Sequence, residues 1–507
     1  MFILNLTKSF KHLFTSSNYI SNTNSWIAHY NTNVKETFFN RKQELIKFTN
    51  VFSAVPELHV VLGPSDSGKT TLIYEITSKG NFNPLFIDCC ITKPFKSPTT
   101  IYNSIFMQFK LFFEEQRTLL KNILSETEIK TKIPYFLDLK FKKKENITFN
   151  DVSELLNNIT CALPNWTFWN NYNIPPPIFI INKVDFLRQL GDNSNEETIL
   201  FKLFLNWLVI NTKQKKHFHA ILTCSDSFFL NRIINQLNIP HVTPYIVGDL
   251  SKKEAEEYFE EYVLSKYECK ELRNKFDHIR KITGTRMFII ERYVEEYMNS
   301  KGNFKDNRFS ILRSEDDGVL YGLASIGTLN KFSNPLWNKN DFIKVMKALV
   351  KSEDQGSILE RDLIKEIGYK KVNSLVDFNF LYRRPTNNFA YDIDPPDEVV
   401  LTARNQPSLY AMNFSSISEN LLVLLLQNNN LQMNEIQMWE HVLTRGLAPN
   451  PELSSDLTIF SKYDFKTLKN TLQQLIPFIR LYNLTSKEFL DGVLPYMKIL
   501  RNYVWTY

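Results

Sequence analysis

Gly63-Pro64-Ser65-Asp66-Ser67-Gly68-Lys69-Thr70 decides how the rest of the chain is read. Its spacing fits G-x-x-x-x-G-K-[ST], a loop that cradles phosphates. Gly63 and Gly68 permit a tight backbone path that turns N–H groups inward. A helix beginning near Lys69 sets the positive end of its dipole against the anion. Lys69 is placed to reach β- and γ-phosphate oxygens, and the Thr70 hydroxyl is the candidate ligand of Mg²⁺. The context agrees, because the apolar run Leu58–Leu62 precedes the loop and the helical segment Thr70–Ser78 follows it. A glycine-rich turn at a helix start would not call for Lys-Thr as well. The expectation is a site for a purine nucleoside triphosphate, its loop lined by Pro64, Ser65, Asp66 and Ser67.

Outward from the loop, short apolar runs alternate with helical stretches. Pro84–Cys90, Ile178–Ile181, His219–Thr223 and Thr243–Val247 read as strands, and Ile101–Leu124, Glu196–Thr212 and Phe228–Leu237 as helices. This alternation predicts an α/β fold, a P-loop NTPase-type parallel sheet with helices on both faces. The core spans 36–250, with an insertion around 100–175 whose later part, 125–175, is less regular. That part holds Lys140-Phe141-Lys142-Lys143-Lys144, Trp166 and Trp169, and Pro175-Pro176-Pro177 ends it rigidly. Ser251-Lys252-Lys253-Glu254 is a capping box that opens a helical lid over 251–300. Residues 301–318 are polar and read as an exposed linker. Asp341–Lys351, Leu359–Ile367 and Lys371–Phe378 read as helices, followed by strands at Phe380–Arg383 and Phe389–Ile393, the layout of a winged helix within 319–412. From 415 to 507 the pattern is all-α, and Leu421–Leu426 is the longest aliphatic run.

The bulk numbers narrow the class. The chain has 507 residues, 43% hydrophobic and 22% charged, ordinary values for a folded protein. A net charge of +6 is too weak to point to nucleic acid. The lysines at 140–144 and the pairs Lys370, Lys371 and Arg383, Arg384 are local clusters, so a nucleic-acid partner is not expected. Cys89, Cys90, Cys161, Cys224 and Cys269 follow no disulfide or zinc spacing and fit a reducing, cytoplasmic setting. No stretch approaches the roughly 18 apolar residues of a membrane span. Residues 1–35 carry no Asp or Glu, and Phe2, Ile3, Leu6, Phe10, Leu13 and Phe14 share one helical face. That is the profile of a mitochondrial presequence, although no arginine precedes Arg41; the alternative is a surface tail.

The second half of the phosphate site departs from its usual form. Ile178-Phe179-Ile180-Ile181 leads into Asn182-Lys183-Val184-Asp185. A P-loop ATPase normally ends this strand in Asp, which anchors Mg²⁺, and Glu, which activates water. Asn182 keeps an acceptor for the metal site but brings no charge, and Lys183 cannot act as a base. A lost general base costs about 10²–10⁴ in rate. Asp185 is the nearby carboxylate and the candidate catalytic partner of Lys69; its alternative is the N-cap of the next helix. Thr223 and Ser225 end the fourth strand as candidate γ-phosphate sensors or as turn residues. Arg286 is either a lid residue reaching the nucleotide or a surface arginine. The expectation is tight nucleotide binding with slow or absent hydrolysis. Asn182-Lys183-Val184-Asp185 also has the spelling of the guanine-reading N-K-x-D, but it stands at the metal-strand position.

Phe39-Asn40-Arg41 with Glu44-Leu45, the phosphate loop, Ile180-Ile181-Asn182-Lys183-Val184-Asp185, Leu222-Thr223-Cys224-Ser225-Asp226-Ser227 and Val247-Gly248-Asp249-Leu250-Ser251 occur in one order. That order resembles the archaeal-type ATPase family within the AAA+/STAND group, over roughly 36–300 and on to 412. The resemblance implies ATP, rather than GTP, as the nucleotide. It implies that the Phe39–Leu45 segment, with Arg41, packs near the adenine. Gly63, Ser67, Gly68, Lys69, Thr70 and Thr71 would surround the phosphates. It also implies a nucleotide-gated switch. A second resemblance covers about Ser415–Leu500, where Asn430–Leu443, Asp464–Leu468, Pro477–Arg480 and Leu484–Phe489 are similar to the helical BACK region. That implies a helical module docking a protein partner, with self-association open and Trp439 and Phe489 as core residues.

Overall fold

The computed structural model describes residue 39 and residues 41–79, 82–126, 146–171, 174–185, 196–237, 242–300, 303–323, 334–352, 357–385, 392–393, 398–412, 435–447, 453, 460–473 and 475–500. The chain divides into two units, Met1–Asn40 and Arg41–Tyr507, and the second holds the central sheet and the helices that pack on it. The 1–35 segment, the Lys140–Lys144 cluster and the Leu421–Leu426 run lie outside the described residues.

A parallel five-stranded sheet forms the centre of this unit. It comprises β1 (Leu58–Leu62), β2 (Asn83–Asp88), β3 (Pro177–Asn182), β4 (His219–Cys224) and β5 (Thr243–Ile246), in the order β2-β3-β4-β1-β5. β1, β3 and β4 are buried along their whole length, so their sequences are almost unbroken aliphatic and aromatic runs. Toward their carboxyl ends β3 and β4 carry the polar side chains Asn182 and Thr223. In parallel sheets that end is where ligands collect. β2 is shorter than expected. It stops at Asp88, whose carboxylate accepts the Cys90 N–H at 2.9 Å and caps the short helix Cys89–Thr92.

Helices cover the sheet: α1 (Lys42–Ser53), α2 (Lys69–Ser78), α3 (Pro98–Glu126), α4 (Phe149–Ala162), α5 (Glu196–Val209) and α6 (Phe229–Leu237). Within the expected irregular insertion, Phe149–Ala162 and Trp166–Asn171 are helical. α4 opens on a Thr148–Asp151 capping box, and the Trp207 indole of α5 donates to Leu156 O at 3.0 Å. Phe109 of α3 lies 5.5–6.2 Å, ring to ring, from Phe179, Trp207 and Phe218, which ties α3 to the sheet and to α5.

The 251–300 segment, expected as a lid, contains α7 (Lys252–Glu257), α8 (Phe276–Thr283) and α9 (Met287–Asn299). The expected linker at 301–318 is a correction, because α10 (Ser310–Leu323) occupies its second half. Leu312, Glu315, Val319 and Leu323 recur at helical spacing on its buried face. Glu315 made the stretch look exposed; it is buried against Arg404 and Asn405. Next come α11 (Lys339–Lys351), β6 (Ile358–Leu359), α12 (Glu360–Ile367), α13 (Tyr369–Asp377), β7 (Leu381–Arg384), β8 (Val400–Ala403) and α14 (Gln406–Met412). The three helices match expectation, and the strand pairing with β7 is β8; most of the expected Phe389–Ile393 strand lies outside the described residues. Residues 386–391 lie outside the described residues, and Asp392 serves as counter-ion to Arg384 at 2.7 Å. Further on, α15 (Glu435–Leu447) and α16 (Lys462–Leu472) pack together, and Trp439 is fully buried, donating to Gly492 O. Phe489 is half-buried.

Candidate nucleotide site

The loop between β1 and α2 has the geometry its motif demands. Asp66 and Gly68 take left-handed φ of 61° and 84°. A Cβ on Gly63 would stand 2.2 Å from Val247 O, so only glycine fits beside β5. The Ser67 hydroxyl is buried with no hydrogen-bond partner among the described residues, a donor held for a ligand. Pro64 is buried, Ser65 and Asp66 stand exposed at the crest, and Thr71 faces outward at the first turn of α2.

Lys69 is buried, and its ammonium donates to Gly63 O (2.8 Å), Pro64 O (2.7 Å) and Ser225 Oγ (3.2 Å). Burial lowers its pKa to about 8, with Asp185 opposing the shift. An arriving phosphate would replace those loop carbonyls as the ammonium's partner. Arg41 sits behind the loop, in a left-handed conformation of its own, and donates to Ser67 O (2.7 Å), Gly248 O (2.8 Å) and Glu44 Oε1 (2.9 Å). Expected near the nucleotide, it is bonded to the backbone of the phosphate loop at Ser67. Glu44, which carried no role of its own in the sequence, is buried beside it. Burial raises its pKa, and its Oε2 has no hydrogen-bond partner among the described residues.

On the metal side, the Thr70 hydroxyl donates to Asn182 Oδ1 at 2.8 Å. The Thr223 hydroxyl donates to the same oxygen at 2.6 Å. The Asn182 amide nitrogen donates to Asp88 Oδ2 at 2.8 Å. Asp88 was missed by sequence reasoning; it comes from a strand 94 residues away, and only the β2–β3 register sets it opposite Asn182. Oxygen donors of this kind suit a hard cation completed by phosphates and water. Among the described residues no group of three His, Cys, Asp or Glu side chains gathers to hold a metal by itself, so Mg²⁺ fits here only together with the nucleotide. The Asn182–Thr70 contact also sets the N-K-x-D spelling beside the phosphate loop's threonine.

The two residues after Asn182 do other work. Lys183 is exposed with φ 57°, and its backbone N–H donates to Thr223 Oγ1 at 3.0 Å. Asp185, expected as a catalytic carboxylate or helix cap, accepts the backbone N–H groups of Ser225 (2.5 Å) and Asp226 (3.1 Å) and the Cys224 thiol (3.1 Å). Burial and this carboxylate push the Cys224 thiol well above its ordinary pKa, so it stays a donor. Asp185 thereby fixes the turn that presents Ser225 to Lys69.

Arg286 precedes α9 and is buried, which removes the surface reading. It forms a two-point pair with Asp249 (2.7 and 3.2 Å) and donates to Ser65 O (3.2 Å) and Arg404 O (2.9 Å). One guanidinium therefore joins the phosphate loop, the end of β5 and the segment after β8. Of the cations considered for nucleic acid, Lys371 pairs with Asp341, Arg383 with Glu360 and Arg384 with Asp392, whereas Lys370 is exposed and the 140–144 cluster lies outside the described residues.

A family model described as an ATPase domain predominantly from Archaea matches residues 38–293, just over half of the chain. The chain belongs to this family. An uncharacterized ATP-binding protein of Methanocaldococcus jannaschii is 27% identical over 239 residues, which are 43% of this chain and 59% of that protein. The chain thus spans well under two thirds of that relative's length. An uncharacterized ATP-binding protein of Pyrococcus abyssi is 24% identical over 367 residues, covering 69% of this chain and 93% of its own. Among solved structures, a Walker-type ATPase of Pyrococcus abyssi aligns with 75% of this chain and 97% of its own at 15% identity and a TM-score of 0.45. Among the described residues no helix is long and apolar enough to cross a membrane.

Proposed function

We propose that this chain binds ATP with Mg²⁺ at Gly63–Thr70 and uses the bound nucleotide to set the position of its C-terminal half, hydrolysing it slowly. Arg286 carries the reading. It touches Ser65 O of the phosphate loop and Arg404 O beyond β8, so occupancy at one is felt at the other. Couplings of this kind amount to about 1–3 kcal/mol. Lys69, Ser67 and the loop N–H groups bind the phosphates, and Thr70 with Asn182 holds the cation. Slow turnover follows from position 183, where a lysine faces solvent, and from Asp185, whose carboxylate is committed to the turn after β4. The family match and the relatives' names support ATP over GTP. The C-terminal helices, including the BACK-like segment, serve as a docking module for a protein partner or a second copy, in a reducing compartment such as the cytoplasm.

Amide exchange tests the switch. A non-hydrolysable ATP analogue should change protection over residues 398–412 in the wild type and leave it unchanged in Arg286→Ala, which still binds the analogue. Unchanged protection in the wild type would remove the switch reading. Steady-state turnover above about 1 s⁻¹, abolished by Lys69→Ala, would replace it with an active ATPase. Salt-dependent retention on DNA would favour a nucleic-acid role instead.

A further inference from the structure

The site lacks a carboxylate at the end of β3 but has one at the end of β2. We infer that Asp88, acting through Asn182, supplies the charge and orientation by which this site holds the cation of Mg²⁺–ATP. The inference rests on the ATP-binding reading above and assigns a positioning residue to it.

The argument begins with the two faces of an amide. Asn182 can present oxygen or NH₂ toward Thr70, and the two hydroxyls at that face do not decide, because a hydroxyl both donates and accepts. Asp88 decides. An ionised carboxylate only accepts, so the Asn182 nitrogen must face Asp88, as it does at 2.8 Å. The Asn182 oxygen is then directed at Thr70 and Thr223, at 2.8 and 2.6 Å. With its single proton committed to Asn182, the Thr70 hydroxyl keeps its lone pairs for a cation. An aspartate at position 182 would have commanded the Thr70 proton in the same way.

Asp88 is itself held in place. Its strand register puts it directly opposite Asn182, and its other oxygen accepts the Cys90 N–H. A carboxylate polarising a bonded amide strengthens the acceptor at the amide's far end. Asn182 therefore provides the oxygen and Asp88 the negative charge, a division between two strands of what one side chain ordinarily does. Groups that orient a metal's ligands from behind are worth about 10- to 100-fold in metal affinity.

Calorimetric titration of the full chain with ATP, in excess Mg²⁺ and in EDTA, tests this. The wild type should bind ATP more tightly with Mg²⁺. Asp88→Asn, which keeps an acceptor for the amide and removes the charge, should shrink that gain by about tenfold or more and leave the affinity in EDTA within about twofold. The exchange Asp88→Asn/Asn182→Asp returns the charge to β3 and should restore the gain; it also serves if the single variant does not fold. Mn²⁺ in place of Mg²⁺ should show the same order of variants by the broadening of its paramagnetic resonance signal with ATP. A full gain in Asp88→Asn, or an exchange variant with no gain, overturns the inference. Wild-type binding in EDTA with no Mg²⁺ gain overturns it while the ATP reading stands, and no binding in either buffer overturns both.

Discussion

The two halves of the nucleotide site follow different rules. At the β1–α2 loop every motif position does what its residue type suggests: glycine where a Cβ would collide, left-handed backbone at Gly68, a buried lysine and an unpartnered serine hydroxyl. At the end of β3 the motif fails residue by residue. Yet part of what it usually supplies comes from a neighbouring strand, although position 183 brings no base. An acceptor remains at Asn182, a carboxylate arrives from β2, and Asp185 takes up the turn after β4. The loop is one continuous backbone that a neighbouring substitution cannot replace. The metal side is assembled from three strands, so a role lost on one can be filled from the next.

The largest effect expected from this contrast is in hydrolysis. Asn182→Asp with Lys183→Glu restores the usual pair on β3 but sets a second carboxylate against Asp88, at the present 2.8 Å contact. Like charges that close share a proton, so the pair would not gain a free metal ligand. This double variant should therefore turn over ATP little faster than wild type. Adding Asp88→Asn removes the conflict, and the triple variant should gain about 10²–10⁴ in kcat, the worth of a positioned base. Single-turnover assays decide it. A double variant as fast as the triple would show that Asp88 does not face the metal side at all.

A smaller effect is expected at the loop. Gly63→Ala brings a Cβ to 2.2 Å from the backbone oxygen of Val247, which cannot swing away as a side chain would. Overpacking of this kind costs about 1–3 kcal/mol, so thermal unfolding should fall by several degrees and ATP affinity with it. Gly318→Ala is the control. It lies in α10, where a Cβ would meet nothing closer than 3.9 Å, and should be neutral or slightly stabilising.

The same contrast explains what the sequence could and could not tell. The five strands and the phosphate loop were legible because each is a local pattern, an apolar run or a fixed spacing. Asn182 and Lys183 were legible as departures, since they sit in an expected place. Asp88 was not, because nothing local distinguishes it from an ordinary strand end, and only the pairing of β2 with β3 gives it a partner. Arg286 was ambiguous for a similar reason, as its contacts come from Ser65, Asp249 and Arg404. α10 was misread because Glu315, Asp316 and Asp317 suggested solvent. The ion pair with Arg404 that buries Glu315 is 89 residues distant. β8, the partner of β7, was not recognised, because its short run Val400–Ala403 carries no turn signal tying it to β7.

The smallest predicted effect separates the two halves by pH. Burial holds the Lys69 pKa down to about 8, against the pull of Asp185. Bound phosphates favour the charged ammonium, so the pKa rises on binding. Between about pH 8 and the raised pKa of the complex, the free protein then carries fewer protons than the complex, and binding must take up a proton there. Affinity for ATP should accordingly be flat below pH 8 and fall by about tenfold by pH 9. Titrations in two buffers of different ionisation heat should show uptake approaching one proton at pH 9 and almost none at pH 7. Lys69→Arg, whose guanidinium stays charged, should bind with little dependence on pH in this range. Asp88→Asn should keep the wild-type pH profile while losing the Mg²⁺ gain, because Asp88 bonds to Asn182 on the metal side and Lys69 bonds within the loop and to Ser225. If Asp88→Asn moved the pH profile instead, the loop and the metal side would be a single electrostatic unit, and their separation would have to be given up.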